Sequence, residues 1–219
     1  MSRSARDLLL SNLLTLAMAL AFDWPIGWLL WPFWIQSVVI GWYARKRMRA
    51  LRDFTTEGLR ANGRPVPETE AGKNSTATFF ALHYGAFHLV YLVFLCKAHL
   101  PDGWGDLAIL AACGVSFVLS QRRTYAAQHA ADLRGRPNLG ALMFLPYLRV
   151  VPMHVMVMVT DGWAATTPAL LLVVALKTAS DLLLDHVDRR IAANGAARLA
   201  ARRGERRRSA NEPPDLPDR

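Results

Sequence analysis

The stretch FFALHYGAFHLVYLVFL, residues 79–95, decides the fold class. It is almost entirely apolar, and a helix over residues 76–95, rising about 1.5 Å per residue, covers most of a hydrocarbon core of roughly 30 Å. Core helices of soluble proteins are rarely so long and so apolar at once. The sequence therefore predicts a transmembrane helix, which we assign to residues 78–96.

The side chains of this predicted helix divide into two faces. At about 100° per residue, the histidines and aromatic residues share one arc, and aliphatic or small residues fill the other. The first arc holds Phe80, His83, Tyr84, Phe87, His88, Tyr91, Phe94 and Leu95, and the second holds Leu82, Gly85, Ala86, Leu89, Val90, Leu92 and Val93. We expect the aliphatic face to meet lipid and the other to meet a polar protein interior. His83 and His88 stand at the edges of the arc, and we expect His83 to matter more.

Composition and charge agree with a membrane protein. The chain has 219 residues, of which 53% are hydrophobic, and a formal net charge of +9. In a soluble protein such a charge suggests nucleic acid, but here the basic residues lie between apolar segments and no nucleic-acid-binding motif is present. We therefore expect no nucleic-acid partner. Cys96 and Cys113 fall at different depths, which favours packing over a disulfide.

The apolar segments predict an all-α integral membrane helical bundle of about six transmembrane helices. They form one domain over residues 1–190, with spans at 8–22, 24–44, 78–96, 106–120, 141–160 and 166–186. Pro146 and Pro152 are expected to break the fifth span. The remaining residues, 191–219, contain few large apolar side chains and predict a disordered basic tail.

The basic residues set the predicted orientation. All but three of the 26 Lys and Arg lie in the amino terminus, residues 45–74, residues 121–140 and residues 187–219. The positive-inside rule then places both termini in the cytoplasm, in a bacterial cytoplasmic (inner) membrane. The expected partners are the lipid bilayer and its anionic head groups, against which residues 45–60 could lie as a short amphipathic helix.

Charged and histidine side chains inside the spans are the candidate site. His88, Arg149 and Lys177 fall near the predicted midplane, His83 and Asp181 nearer the cytoplasm, and His154 in the outer half. A charge at this depth costs at least about 2.5 kcal/mol, so its presence usually has a functional reason. Lys177 and Asp181 share one helix face because they are four residues apart.

Three interpretations follow from these residues. The first is a ligand site formed by His83, Tyr84, His88, Arg149, His154, Lys177 and Asp181, which binds a transition metal, a haem or a small ligand. His83 and His154 are its candidate metal ligands, although no ligand signature selects a particular metal. The second is a small proton-coupled transporter with Asp181 and the histidines as a relay. The third is a structural or partner-binding subunit whose charges only neutralise one another. The pattern does not decide whether the protein is an enzyme.

Four short motifs carry a resemblance to a known family. They are LHYGAFHLVYLVFL, WPFWIQSVVIGW, YLRVVPMH and KTASDLLLDH. Together they resemble a bacterial and archaeal family of multi-pass membrane proteins known as a domain of unknown function, over Leu8 to about His186. The resemblance implies a helical membrane fold with recurrent positions at His83, Tyr84, Gly85, Arg149, His154, Lys177 and Asp181. Tyr91 stands where some relatives are expected to have histidine, which argues against a fixed four-histidine metal site.

Overall fold

The computed structural model describes residues 26–160 and 167–211, together with Leu13 and Ala17. These residues are mostly helical, as the sequence predicted. The α-helices of this part of the chain are α1 (Leu30–Ala50), α2 (Glu70–Ala98), α3 (Trp104–Leu133), α4 (Leu139–Phe144), α5 (Tyr147–Thr160) and α6 (Thr167–Asn211). A 3-10 turn, Ile26–Leu29, leads into α1. Apart from Leu13 and Ala17, the predicted first span at 8–22 lies outside the described residues.

Helix α1 is the centre of the packing. Helices α2 and α3 pack along it, α4 and α5 contact it, and α6 packs on α5 and α3. Large apolar side chains of α1 enter two hydrophobic clusters, with Leu30 and Phe33 in one and Met48 in the other. The core therefore forms along α1.

Helix α2 has the two faces that its sequence predicted. One buried stripe runs along it at helical spacing: Phe80, Tyr84, His88, Tyr91 and Leu95. The aliphatic side chains Leu82, Leu89, Val90 and Val93 are exposed. The buried stripe is narrower than the predicted arc, since His83 and Phe87 are exposed.

Helix α3 presents a long apolar surface. Its exposed side chains include Leu107, Val115, Val118 and Leu119, whereas Leu110 and Asp132 are buried. Both α2 and α3 are long and apolar enough, by length and composition, to cross a membrane.

The predicted fifth span is interrupted once, at Pro146. Helix α4 ends at Phe144 and α5 begins at Tyr147, because proline offers no backbone N–H to continue the helical ladder. Pro152 was also predicted to break the helix, but α5 continues through it. Asn138 caps α4 by accepting a hydrogen bond from the backbone N–H of Ala141 at 2.9 Å.

Residues 51–69 form a folded cap rather than a surface helix. Strands β1 (Arg60–Ala61) and β2 (Arg64–Pro65) make a hairpin whose turn, Asn62 and Gly63, has positive φ at both residues. The Asn-Gly pair is the usual sequence for such a turn. Thr55 then pairs with the chain before α4, donating to the carbonyl of Pro137 at 3.0 Å.

Helix α6 continues far beyond the predicted sixth span, to Asn211. Composition predicted disorder over residues 191–219, and the last eight of these lie outside the described residues. The second half of this helix contacts the segment before α4: the Gly195 carbonyl accepts a hydrogen bond from Arg136 N–H at 2.8 Å. Arg198 and Arg202 pair with the acidic residues Glu57 and Asp53. The composition of the tail could not reveal these partners. We call this end of the bundle, with residues 51–69, 134–138 and the second half of α6, the basic end.

Candidate functional site

The candidate site begins with a buried ion pair on α6. Lys177 Nζ lies 2.7 Å from Asp181 Oδ2, and both side chains are buried. Their four-residue spacing brings them together within one helix, as the sequence predicted. Lys177 Nζ also lies 4.8 Å from the centroid of the Phe33 ring, so α1 adds a cation–π contact.

A small cavity adjoins this ion pair. Its volume is about 30 Å³, and it is lined by Lys177, Ser180 and Asp181 of α6, Phe33, Gln36, Ser37 and Ile40 of α1, and Pro152 of α5. A space of this size with several polar walls can hold a water molecule. The ion pair is thus placed beside a polar space rather than packed against carbon on all sides.

Ser37 joins the cavity to two residues of the buried stripe of α2. Ser37 Oγ lies 2.7 Å from the Tyr84 hydroxyl and 2.8 Å from His88 Nε2. Tyr84 approaches α1 this closely because residue 41 is glycine: a Cβ there would lie 2.4 Å from the Tyr84 ring. We call Ser37, Tyr84, His88, Lys177 and Asp181 the central polar cluster.

The hydrogen bonds of His88 have a defined direction. Its Nδ1 faces the backbone carbonyl of Tyr84 at 2.8 Å, and a carbonyl only accepts, so Nδ1 must donate. In neutral His88, Nε2 then accepts a hydrogen bond from Ser37 Oγ, and the Tyr84 hydroxyl donates to Ser37, either to Oγ or, at 3.1 Å, to its backbone carbonyl. A protonated His88 would donate from Nε2 instead, and Ser37 would have to turn its own proton elsewhere. The protonation state of His88 therefore sets the orientation of a hydroxyl in the cavity wall.

The other two predicted histidines form separate pairs with tyrosines. His83 Nδ1 lies 2.9 Å from the Tyr147 hydroxyl, and His154 Nδ1 is hydrogen-bonded to the Tyr91 hydroxyl. The expectation that His83 matters more than His88 does not fit this geometry, because His83 is exposed and His88 is buried with two polar contacts. The sequence placed His83 and His88 at the two edges of the predicted aromatic face of α2. Only the packing of α2 against α1 distinguishes them.

The described side chains do not assemble a metal centre. Among them, no group of three His, Cys, Asp or Glu is placed to hold a metal ion. A metal or haem at His83 and His154 would thus have at most two His, Cys, Asp or Glu ligands from this part of the chain. The side chain of Arg149, the remaining predicted member of the site, lies outside the described part of the structure.

A larger groove adjoins the central polar cluster on the side of the basic end. It encloses about 810 Å³ between α1, α3, the α4–α5 junction and α6. Gln36 and Ile40 line both this groove and the small cavity, so the two spaces share a wall.

Arg47 lines the groove near the basic end, together with Asp188 and Gln128. Its guanidinium donates to both carboxylate oxygens of Asp132, at 2.6 and 2.9 Å, and to Asp188 at 2.6 Å. Gln128 donates to the other oxygen of Asp188 at 2.7 Å. Burial by itself lowers the pKa of Arg47, but the two carboxylates outweigh it and hold the pKa above its ordinary value. These four residues, the Arg47 cluster, tie three helices together.

Sequence reasoning missed Ser37 and the Arg47 cluster. Ser37 and Gly41 do have the small-xxx-small spacing that marks close helix contacts, and this signal could have identified Ser37. Arg47 gave no comparable signal, since it is one of several arginines and lysines in a row.

The fold and site define a helical protein with a buried ion pair beside a polar cavity and an open groove. Residues 2–199 match the model of a family of unknown function, DUF6498, and the chain belongs to that family. No curated protein and no solved structure matches the chain.

Proposed function

We propose that the protein is a multi-pass protein of the bacterial cytoplasmic membrane, with about six spans and both termini in the cytoplasm. The exposed aliphatic surfaces of α2 and α3 support this proposal, because a soluble protein would leave them in water. In a bilayer the same surfaces would meet hydrocarbon.

The clustering of charge supports the orientation. Residues 45–74, residues 121–140 and the second half of α6 pack together at the basic end. The segment between α2 and α3, at the other end, contains no Arg or Lys. Under the positive-inside rule, the basic end faces the cytoplasm.

Reporter fusions test this topology. A reporter joined after Gly140 or at the carboxyl end should be active only as a cytoplasmic reporter. One inserted near Gly103 should be active only as a periplasmic reporter. A periplasmic carboxyl end would contradict the topology and the assignment of the groove to the cytoplasmic side.

We propose further that the protein is a small proton-coupled carrier of a polar solute. One observation carries this proposal: the buried Lys177–Asp181 pair lines a cavity that shares a wall with the larger groove. Ionisable groups buried in a membrane and facing a polar space are typical of ion and proton pathways.

The residues suggest how protons and solute could be linked. Asp181 is the proton acceptor, and its protonation removes one counter-charge of Lys177. Ser37 lies in the same cavity wall and changes its hydrogen bonding with the protonation state of His88. Gln36, which borders both spaces, supplies a polar contact for a solute.

Proton movement in proteoliposomes tests this carrier. Vesicles containing a pH-sensitive dye are given an acid-outside gradient, with and without a mixture of amino acids and small carboxylic acids. We expect solute-dependent proton uptake that Asp181→Asn abolishes. Asp106→Asn is the matched control, because Asp106 accepts a hydrogen bond only near the exposed start of α3. Equal uptake by both variants would contradict a role for Asp181.

A further inference from the structure

The groove has a length that suits one leaflet of a bilayer. Its lining on α3 runs from Ser116 to Ala131, which corresponds to about 22 Å of helix at 1.5 Å per residue. One leaflet, including its head-group region, is roughly half of 40–45 Å thick. The groove thus extends from near the centre of the proposed membrane to its cytoplasmic surface.

The lining is both apolar and polar. Its apolar side chains include Ile40 of α1, Phe117 of α3, Leu142 and Leu145 beside the α4–α5 junction, and Leu184 of α6. Its polar side chains include Gln121, Arg123, Thr124 and Gln128 of α3. This mixed lining suits a molecule with an apolar chain and a polar head.

The position of Arg123 favours an anionic head. The other two arginines of the lining are engaged by carboxylates, Arg47 by Asp132 and Asp188, and Arg189 by Asp185. Arg123 is exposed, and no ion pair joins it to the rest of the described residues. Its guanidinium is therefore available to an anionic group in the groove.

We propose that this groove is a specific binding site for an anionic phospholipid of the cytoplasmic leaflet. An acyl chain lies along Ile40, Phe117 and Leu184, and the phosphate lies at Arg123. Basic pockets between membrane helices on the cytoplasmic side bind phospholipid head groups in this way. The inference rests on the proposed membrane location but is independent of proton coupling.

The two adjacent arginines of α3 provide a matched test. Arg122 is exposed like Arg123 but does not line the groove, since neighbouring helical residues point about 100° apart. Binding of fluorescent phosphatidylglycerol to the purified protein in detergent is followed by anisotropy. We expect Arg123→Gln to weaken binding at least about fivefold and Arg122→Gln to leave it unchanged, because only the former contacts the phosphate. Equal weakening by both would show general charge attraction and overturn the site.

The two adjacent alanines of α3 test the apolar part. Ala127 lines the groove and Ala126 does not, and both are exposed. Ala127→Trp should fill the groove and abolish binding, whereas Ala126→Trp should bind like the wild type. Binding that survives Ala127→Trp would overturn the inference.

Competition identifies the source of the phosphate. Unlabelled phosphatidylglycerol should displace the probe, whereas zwitterionic phosphatidylcholine and inorganic phosphate should not. Displacement by inorganic phosphate would show a simple anion site, and displacement by phosphatidylcholine would show a non-selective lipid groove; either result overturns the proposal. Failure of the membrane proposal can be distinguished from failure of the lipid site, because the protein would then remain soluble without detergent.

Discussion

The two buried ionic groups of this protein differ in what they connect. The Arg47 cluster joins α1, α3 and α6, and its carboxylates lie 85 and 141 residues away from Arg47 along the chain. The Lys177–Asp181 pair lies within a single helix, four residues apart. The carboxylate partners of Arg47 thus come from two other helices, whereas Lys177 and Asp181 pair within α6.

This difference teaches how to interpret a buried charge. Burying an ion pair costs desolvation energy that its attraction only partly recovers, so a buried ion pair is by itself weak evidence of a stabilising role. The Arg47 cluster has a clear structural role, because one guanidinium binds carboxylates from two other helices at once. Both groups border a space, but the pair on α6 shares its cavity with Ser37, whose hydrogen bonding depends on the protonation state of His88.

The largest expected effect tests the Arg47 cluster. Arg47→Met should lower the free energy of unfolding by about 3–5 kcal/mol, because it leaves two carboxylates without their cation. Arg49→Met is the matched control on the same helix, since Arg49 is exposed. Unfolding in mixed micelles measures both variants. Equal losses of unfolding free energy in the two variants would show that Arg47 does not hold the helices together.

The second prediction tests the pair on α6. Asp181→Asn should lower the free energy of unfolding by about 2–3 kcal/mol, because Lys177 loses a charged hydrogen-bond partner. Replacing both residues, as Lys177→Met with Asp181→Leu, should recover most of this stability but no proton coupling. Unfolding and proton uptake are measured on the same preparations. A double variant that still couples protons would remove the pair from the mechanism.

The third prediction separates the histidines of α2. His88→Ala should cost about 1–3 kcal/mol of stability, since it leaves Ser37 and the Tyr84 carbonyl without their shared partner. His83→Ala should cost less, because His83 is exposed and has the Tyr147 hydroxyl as its hydrogen-bond partner. Thermal unfolding of the two variants gives the comparison. A more severe His83→Ala would favour the original ligand-site interpretation.

The smallest expected effect concerns the contact between α6 and residues 134–138. A Cβ on Gly195 would lie 3.1 Å from the backbone nitrogen of Pro137, whereas a Cβ on Gly204 of the same helix meets nothing within 4 Å. Gly195→Ala should therefore destabilise the contact by about 1 kcal/mol, and Gly204→Ala should stabilise the helix by up to about as much. Amide hydrogen exchange at Arg136, which donates to Gly195, provides the readout. Faster exchange of the Arg136 amide in Gly204→Ala than in the wild type would contradict the proposed contact at Gly195.

Local patterns in the sequence determined much of this protein. Apolar length identified α2 and α3 as candidate membrane helices, and helical periodicity placed Tyr84 and His88 on the buried face of α2. The four-residue spacing of Lys177 and Asp181 was enough to predict their contact. Each of these features depends on neighbours within a few turns, so the physics of one helix is sufficient.

Only the tertiary structure decided which polar groups meet across helices. The partners of Arg47, the contact of Ser37 with His88 and the docking of Gly195 all join residues far apart in the chain. The difference in burial between His83 and His88 also depended on the position of α1. Periodicity fixes the face on which a side chain lies, but the neighbouring helix and its close approach at Gly41 fix what that side chain touches.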